Sequence, residues 1–493
     1  MTKVINYVSG RCGSGKTHRA IKELGVLVAK GESVIYATNT IVLLKQTAAN
    51  LKAQNTNNVL LVSDLSNRSV VQTITKALNA AQTKPVVFLC TTQSLIRAAS
   101  KLNIKYTIFV DEGLMVYNFY TNTGFATPQE ALAVATLIGV EPQGQVDLSA
   151  SNYLLSDEEK QLKADCKSPI FKVEVNLSDA RLEVVTYLDI NAFADKFKSI
   201  TLLAAYYEDT IQYAAIKAAG CQQNELNWGL PQAHVTSGTI EVYWVLENKE
   251  WRTFSINKLE ENSIGEEVHP QSLEGLAANF ESLCAFDPNV DDKFISVKGI
   301  GGEGEPMPVF SHGMNSYDNV DHVMDLHAQM PFPTLSEFFK VHFKMTQEQI
   351  RKSYYQYDRY QSALRCSLRS KDDKNHKFCF GDKGTAEYFA SKIDPTVKIK
   401  TMKLPLKLGP LPIDKVGREP RVDKVSEGKQ EKKNRSNNRR RIKEIDPTCI
   451  GKDLEQVLNK ARDYRRNLAE EDQSTRLTKA TLSKLISETK QAP

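Results

Sequence analysis

The chain has 493 residues, of which 41% are hydrophobic and 25% are charged, and its formal net charge is +5. This length accommodates two or three domains, and the composition is typical of a globular protein rather than a disordered or fibrous one. No apolar run approaches the roughly 18 residues of a membrane span, and the eight cysteines are scattered without a CxxC pair, so we expect no membrane span, disulfide framework or zinc site.

The first predicted elements are the strand VINYV, the loop GRCGSGKT and a helix. Because the strand begins so close to the first residue, we expect no signal peptide and a cytoplasmic protein, in the host cytoplasm if it is viral. The loop, Gly10–Thr17, matches the phosphate-binding pattern G-x-x-x-x-G-K-[ST] in full. A chance match in a glycine turn is the alternative, but the preceding strand and the following helix are the context that the motif requires.

This phosphate loop predicts a site for ATP and Mg²⁺. Backbone N–H groups of a glycine-rich turn and of a helix N-terminus bind phosphate. Lys16 would reach the β- and γ-phosphates as a catalytic residue, and Thr17 would hold Mg²⁺. The predicted nucleotide-binding residues of the loop are Gly10, Gly13, Ser14, Gly15, Lys16 and Thr17.

The following segments alternate between apolar strands and helical patterns. The predicted strands are ESVIYATNT, NVLLVSD, PVVFLC, YTIFVDEG and SITLLAA, and a helical pattern follows most of them. Such alternation predicts an α/β fold with a parallel sheet and helices on both faces. Ligands bind these sheets at the carboxyl ends of the strands, so the polar residues that follow each strand are candidate site residues.

Two acids, Asp111 and Glu112, close the strand YTIFV. An Asp at this point of a phosphate-loop sheet can hold Mg²⁺ through water. A second acid beside it can polarise an attacking water, which would make Glu112 a catalytic residue for hydrolysis of the nucleotide. An ordinary acidic strand end is the alternative.

Taken together, these features resemble superfamily 2 (DEAD-like) helicases. The resemblance rests on the phosphate loop, the DE pair, the TN of ATNT after the second strand and TTQSL after the fourth. LLAA at residues 202–205 stands where the family has a Ser-Ala-Thr coupling motif, and residues 1–9 leave no room for an adenine-reading Q motif. The resemblance implies side chains that bond a nucleic-acid backbone without reading bases. These side chains are Thr38, Asn39, Thr91, Thr92 and Gln93.

A helicase of this family needs a second RecA-like domain, which residues 239–402 can supply. Its predicted strands are TIEVYWVLE, DKFISVKG and VKIKTMKL, and its predicted helices are SLEGLAANFESL and KGTAEYFASKI. Near its end, Gln361, Arg365 and Arg369 are four residues apart and are predicted to line one helix face. The resemblance implies that both arginines neutralise charge on the γ-phosphate and that Gln361 contacts the nucleotide. A solvated basic helix face is the alternative.

A narrower resemblance rests on the order of several short segments. HGMNSY, MPFP, YQ-x-x-LR-x-SLR and FGDKGTAEYFASKI follow one another as in a divergent branch found in bacteriophage and plasmid replication proteins. Gly313 and Asn315 of the first segment are placed like the family's motif V, although its usual R-G-x-[DN] is not reproduced.

Two regions lie outside the resemblance. An insert at about 115–198 begins with MVYNFYTNTGF, whose aromatic side chains either stack on unpaired bases or pack the insert onto its domain. Residues 415–443 carry twelve Lys/Arg against four Asp/Glu, a surplus of eight that exceeds the net charge of the whole chain. This arm is predicted to be disordered when free and to bind phosphate backbones, with a solvated linker as the alternative. The helices predicted beyond it form a helix-turn-helix or a tail that docks on a partner such as a replication protein.

The sequence therefore predicts two RecA-like P-loop domains of the α/β class with parallel sheets, an insert in the first domain and a basic helical C-terminal extension. The predicted function is an ATP hydrolase that acts as a nucleic-acid helicase or translocase in DNA replication or recombination of a phage or mobile element, with DNA favoured over RNA. The alternative is an ATP-switched replication initiator or scaffold that does not unwind DNA. The predicted boundaries are 1–238, 239–402, 403–445 for the basic linker and 446–493 for the helical module.

Overall fold

The computed structural model divides the chain into two compact units, Met1–Ile413 and Asp414–Pro493, which are described separately. The residues that the structure describes are 3–53, 59–61, 70–80, 84–122, 128–139, 155–178, 181–231, 238–247, 251, 255–256, 259, 272–284, 294–297, 305–307, 317, 320–370, 374–405, 442, 445–446, 456–461 and 479–490. Among them, no helix is both long enough and apolar enough to cross a membrane.

The N-terminal half is built on a seven-stranded sheet, here called the first sheet. Its strands are β1 (Val4–Gly10), β2 (Val34–Thr38), β3 (Val59–Leu61), β4 (Val87–Thr91), β5 (Thr107–Asp111), β9 (Ser199–Ala205) and β10 (Gln222–Glu225). They are ordered β10-β1-β9-β5-β2-β4-β3, and every neighbouring pair is parallel. The helices of this half are α1 (Lys16–Ala29), α2 (Ile41–Ala53), α3 (Val70–Asn79), α4 (Thr92–Ala99) and α8 (Ile211–Ala218).

The helices cover both faces of the first sheet, as the alternation of the sequence predicts. One core cluster joins Val8 and Val34 of the strands to α1 and α2, and the other joins Ile5 and Ile35 to α3, α4 and α8. Since successive strand residues point to opposite faces, a strand covered on both sides must be apolar at almost every position. The run VIYAT of β2 meets this demand, and all five of its residues are buried.

The insert between β5 and β9 forms a small antiparallel sheet with its own core. Its strands are β6 (Tyr117–Asn122), β7 (Phe171–Ser178) and β8 (Arg181–Leu188), and its helices are α5 (Pro128–Ile138), α6 (Asp157–Cys166) and α7 (Ile190–Ala194). The ring of Tyr117 lies 5.0 Å from that of Phe339, and the ring of Phe119 lies 5.5 Å from that of Phe332. These aromatic side chains pack the insert onto α10 (Pro333–Phe343), which favours the packing alternative over base stacking.

A second, six-stranded sheet occupies the following part of the chain, and all its pairs are parallel. Its order is β13-β12-β14-β15-β11-β16, with β11 (Thr239–Leu246), β12 (Phe294–Val297), β13 (Glu305–Met307), β14 (His322–Asp325), β15 (His376–Asp382) and β16 (Lys398–Lys403). Its helical segments are α9 (Leu273–Cys284), α10, α11 (Gln347–Arg351), a π-helix (Lys352–Gln356), α12 (Tyr357–Ala363), a 3₁₀ turn (Ser367–Ser370) and α13 (Lys383–Lys392).

Two parallel sheets with flanking helices confirm the predicted α/β class. The described part of the C-terminal unit includes helical residues at 456–461 and the helix α14 (Lys479–Lys490). Its core combines Val457, Leu458 and Ala461 with Leu482 and Ile486. Most of the basic arm 415–443, and both Gly313 and Asn315, lie outside the described residues.

Candidate nucleotide-binding and active site

The phosphate loop lies between the carboxyl end of β1 and the N-terminus of α1. Gly13 and Gly15 have φ values of 74° and 81°, in the left-handed region that glycine adopts without steric cost. Gly10 has a different requirement, because a Cβ there would lie 2.9 Å from Cδ1 of Leu230 and 3.0 Å from Oγ of Ser14. The glycines of the motif are therefore needed for backbone conformation at two positions and for close packing at the third.

Lys16 and Thr17 begin α1, and both side chains make hydrogen bonds beside the phosphate loop. The Lys16 Nζ donates hydrogen bonds to the carbonyl oxygens of Gly10, at 3.0 Å, and Arg11, at 2.7 Å. It therefore stays within the loop that would cradle a phosphate. The Thr17 hydroxyl donates to Oδ2 of Asp111 at 2.6 Å, which joins the start of α1 to the end of β5.

Asp111 is a buried carboxylate with three hydrogen-bonded neighbours. Its side chain receives hydrogen bonds from the hydroxyls of Thr17 and Tyr36 and from the amide of Glu112. Burial raises the pKa of Asp111, the adjacent charge of Glu112 raises it further, and the two hydroxyls and Lys16 act in the opposite direction. A positive charge beside this carboxylate would therefore stabilise its ionised form.

The oxygens of Thr17 and Asp111 fit Mg²⁺. This ion takes oxygen ligands, commonly one or two carboxylates together with waters and phosphate oxygens. Within the described part of the chain, no three His, Cys, Asp or Glu side chains are grouped as a metal site. One carboxylate and one hydroxyl at the phosphate loop match an ion that is completed by water and by the nucleotide rather than by an all-protein cage.

Glu112 is held in an unusual backbone conformation just after the carboxyl end of β5. Its φ is 61°, and its amide donates to the carbonyl oxygen of Leu203 in β9 at 3.1 Å. A left-handed non-glycine residue of this kind costs free energy and is found preferentially at functional sites. Its Oε1 lies 3.3 Å from Nη2 of Arg365, and among the described residues its Oε2 has no hydrogen-bond partner. One carboxylate oxygen is therefore available for another ligand.

Arg365 reaches this site from the side of the second sheet. The prediction that Gln361, Arg365 and Arg369 line one helix face is wrong. Helix α12 ends at Ala363, Arg365 lies in the turn that follows, and Arg369 lies in a separate 3₁₀ turn. A break in the helix therefore changes the direction in which the later residues point. The side chain of Arg369 lies outside the described part of the structure, and Gln361 is buried on α12.

The phosphate loop also makes contacts with the second sheet that sequence patterns did not predict. The amide of Cys12 donates to the hydroxyl of Tyr360 at 3.2 Å, and Arg11 forms an ion pair with Asp394. The hydroxyl of Tyr206, just after LLAA, donates to the carbonyl oxygen of Lys392 at 2.5 Å. These partners are separated by hundreds of residues, so no local spacing signals them.

Asp209 adds a further link beyond β9. It forms ion pairs with Lys352 at 2.6 Å and Lys392 at 2.5 Å, and it accepts a hydrogen bond from the hydroxyl of Tyr388. Burial alone would raise the pKa of Asp209, but the two lysines lower it below its usual value. LLAA lacks hydroxyl groups, and the residues immediately after it make the contacts to the second sheet.

The residues predicted to bind nucleic acid share one edge of the first sheet. Thr38 is the strand partner of Thr91, and the side-chain amide of Asn39 donates to the carbonyl oxygen of Glu112 at 3.1 Å. Asn39 and Gln93 are exposed, and Thr91 caps α4 by accepting from the amide of Ser94. The remaining two, Thr38 and Thr92, are buried. The structure thus places the five residues together but exposes only some of them.

The chain is similar to several solved structures at low identity. Xpd4 from S. tokodaii is 14% identical over 81% of this chain and 96% of that chain, with a TM-score of 0.41. S. cerevisiae Dbp5 bound to RNA and ADP BeF3 is 10% identical over 82% of this chain and 86% of that chain, with a TM-score of 0.37. The ATP-dependent Type ISP restriction-modification enzyme LlaBIII bound to DNA is 8% identical over 99% of this chain, which spans 38% of that chain, with a TM-score of 0.39. No protein-family model and no curated protein matches the sequence.

Proposed function

We propose that this chain is an ATP-dependent nucleic-acid helicase or translocase. The observation that carries the proposal is the contact between Arg365 and Glu112, which joins the second sheet to the phosphate-loop side of the first. Nucleotide hydrolysis can drive movement when residues on two bodies bind the same phosphates, because loss of the γ-phosphate then changes how the bodies fit together. The chain has candidate phosphate ligands on both sides of one cleft.

Each side chain at the cleft has a distinct proposed role. Lys16 binds the β- and γ-phosphates, and Glu112 accepts a proton from the attacking water and orients it. Arg365 neutralises charge that develops on the γ-phosphate, with Arg369 and Gln361 proposed as further nucleotide contacts. Mg²⁺, held by Thr17 and through water by Asp111, would neutralise charge on the phosphates when it is bound.

The proposed track for nucleic acid is the strand-end edge that carries Asn39 and Gln93. Their amides, with Thr91, can bond phosphate and sugar without reading bases. Buried Thr38 and Thr92 would support this edge from below. The basic arm 415–443 would add affinity without sequence preference, and DNA is proposed ahead of RNA because the order of short motifs resembles phage and plasmid replication proteins. The C-terminal unit would bind nucleic acid or a replication protein.

The test is the rate of ATP hydrolysis by the full chain alone and with single-stranded DNA, duplex DNA and RNA. A nucleic-acid motor should hydrolyse ATP faster with its track, and unwinding should appear in a strand-displacement assay. Removal of the basic arm should flatten the dependence of log affinity on log salt, by roughly 0.7 per lost contact on single strands and 0.9 on duplex. Rates that no nucleic acid changes would contradict the proposal.

The second candidate function is an ATP-switched replication initiator or scaffold in a phage or mobile element. The absence of hydroxyls from LLAA at residues 202–205 favours it, since the coupling motif of the resembled family is altered there. The presence of Glu112 disfavours a pure switch. Strand displacement with ATP but not with a non-hydrolysable analogue supports the motor, whereas DNA binding that both nucleotides promote equally, without displacement, supports the switch.

A further inference from the structure

A cavity of about 450 Å³ opens beside the phosphate loop, on the side away from Asp111. Its walls are residues 9–11 and 14 of the loop region and residues 225–228, 230 and 231, at and beyond the end of β10. In the first sheet, β10 flanks β1 on one side, whereas β9 and then β5 flank it on the other. The cavity and the two acids that end β5 thus lie on opposite sides of the phosphate loop.

This arrangement matches the two ends of a nucleoside triphosphate. The γ-phosphate end belongs on the side of β5, where Asp111, Glu112 and Arg365 are grouped. A phosphate chain that crosses the loop from there directs its nucleoside end toward β10. The cavity lies at that end and is continuous with the loop through Gly10 and Ser14.

The side chains of the wall suit a flat heteroaromatic ring. Trp228 lines the cavity, is half-buried, and its ring centroid lies 6.5 Å from that of Phe109 in the core. This packing fixes the indole at the wall. Leu230 approaches the loop so closely that a Cβ on Gly10 would lie 2.9 Å from its Cδ1. A fixed aromatic ring can stack on a nucleobase, and such stacking tolerates any base.

Ser14 gives an independent sign of a ligand. Its side chain is only 3% exposed and lines the cavity, and its Oγ has no hydrogen-bond partner among the residues that the structure describes. A buried hydroxyl without a partner carries a free-energy cost that a bound acceptor would remove. Nucleotides offer such acceptors in their phosphate and ribose oxygens.

We propose that this cavity binds the nucleoside part of the nucleotide, with the base stacked on Trp228 and the Ser14 hydroxyl donating to an oxygen of the same nucleotide. This inference rests on the proposed function, since it extends the same phosphate site. The segment that follows β10 then forms the wall against which the base lies. Because stacking dominates, the site requires a base but selects weakly among bases.

The test compares ATP with inorganic tripolyphosphate, which lacks the nucleoside. Dissociation constants for both are measured by competition on the full chain, for the wild type, Trp228→Ala, Trp228→Phe and the loop variant Lys16→Ala. Stacking of this kind predicts that Trp228→Ala weakens ATP binding about tenfold and leaves tripolyphosphate binding unchanged, and that Trp228→Phe restores most of the loss. Lys16→Ala should weaken both ligands.

The outcomes separate this inference from the proposed function. If ATP and tripolyphosphate both bind the wild type and Trp228→Ala weakens them equally or not at all, the base site is wrong and the phosphate site stands. If neither ligand binds the wild type, both proposals fail.

Because Trp228 also packs on Phe109, its replacement could disturb the fold. A second measurement therefore uses the wild-type protein alone. Photolysis of wild-type protein with 8-azido-ATP should label residues 225–231, and excess ATP should prevent the labelling. Labelling that excess ATP prevents but that falls only elsewhere in the chain would overturn the proposal.

Discussion

Two arginine–carboxylate pairs, whose arginines lie on α12 and in the turn that follows it, differ in almost every physical respect. Arg359 contacts both oxygens of Asp325, at 2.9 and 3.1 Å, and both side chains are 0% exposed. Arg365, six residues later, makes a single 3.3 Å contact with Glu112, and these side chains are 7% and 19% exposed. The first pair lies within one sheet and its helices, whereas the second joins the two sheets.

This difference is the one we expect between a pair that stabilises the fold and a pair that is proposed to bind a ligand. Arg359 also donates hydrogen bonds to Asp358 and Gln329. Removing it would leave the buried carboxylate of Asp325 without its partner in an apolar interior. In the Arg365–Glu112 pair, Oε2 of the glutamate and Nε of the arginine have no hydrogen-bond partner among the described residues. Nε of Arg359 also has no partner among these residues, so the two pairs differ at the carboxylate: both oxygens of Asp325 accept from Arg359, whereas Oε2 of Glu112 has capacity left for a water molecule.

The largest expected effect is on hydrolysis when Arg365 is removed. Arg365→Ala should lower the single-turnover rate of ATP hydrolysis by ~10³–10⁵, as loss of an arginine finger does. The thermal midpoint should change little, because the 3.3 Å contact with Glu112 is the one ion pair that this side chain makes among the described residues. Arg365→Lys keeps the charge without the planar fork and should recover only part of the rate. A turnover within a few-fold of wild type would remove Arg365 from the proposed site.

The other half of the same pair should give a somewhat smaller loss. Glu112→Gln preserves shape but removes the base, so hydrolysis should fall by ~10²–10⁴ while ATP binding persists. The variant should therefore accumulate the ATP-bound state on nucleic acid, which filter binding with labelled ATP can measure. Glu23→Gln is the matched control, since Glu23 lies on α1 and pairs with the exposed Arg19 one turn away. Equal rates for the two variants would show that Glu112 is not the base.

The contrast between the two arginines also shows what the sequence could predict. The positions of the phosphate loop, between β1 and α1, and of the DE pair, at the end of β5, were predictable because each is a run of consecutive residues beside an apolar strand. The break after α12 was not, since YYQYDRYQSALR has the composition of a continuous helix and only packing decides where it ends. Strands β14 and β15 were also not predicted. Each begins with a buried histidine, His322 or His376, and a polar residue at a buried position interrupts the apolar pattern by which a strand is recognised.

Contacts between distant segments left no signal at all in the sequence. Tyr360 and Cys12 are 348 positions apart, and Arg11 and Asp394 are 383 apart. A periodicity describes one element and its buried face, and it does not specify which other element covers that face. The sequence could therefore suggest candidate residues on each side of the site, but it could not show which of them meet.

The buried pair should affect stability rather than catalysis. Arg359→Ala leaves Asp325 without its main partner in the interior, and such a loss typically costs about 3–5 kcal/mol of unfolding free energy. Burial already raises the pKa of Asp325 with the arginine present, so in the variant this carboxylate should take up a proton. The loss of unfolding free energy relative to the wild type should therefore be smaller at low pH than at neutral pH. Thermal unfolding at several pH values checks this. Arg351→Ala, which breaks a partly exposed pair with Asp382, should cost less.

A third pair, between Arg11 of the phosphate loop and Asp394, combines features of the other two and should show the smallest effect. Like the Arg365 pair it links the two sheets, but the Asp394 side chain is 1% exposed and that of Arg11 is 23% exposed. Hydrogen bonds from the hydroxyl and amide of Thr396, followed by Arg11, lower the pKa of Asp394 to about 2. Since the lowered pKa belongs to the folded state, the unfolded chain binds more protons between about pH 4 and pH 2, and stability is lost as the pH falls through this window.

Two variants separate the contributions that Asp394 and Arg11 make to the free energy of unfolding. Asp394→Asn should abolish the pH-dependent contribution, so the difference in unfolding free energy from wild type should be present above about pH 4 and disappear toward pH 2. Arg11→Gln should remove only the smaller part, below about 1 kcal/mol, because Thr396 is the principal partner and Arg11 is partly solvated. Denaturant unfolding between pH 2 and pH 7 measures both. If Arg11→Gln lowers the free energy of unfolding as much as Asp394→Asn does, Arg11 stabilises the contact between the two sheets as strongly as Arg359 stabilises β14. The distinction between a structural pair and a ligand-binding pair would then not apply at the phosphate loop.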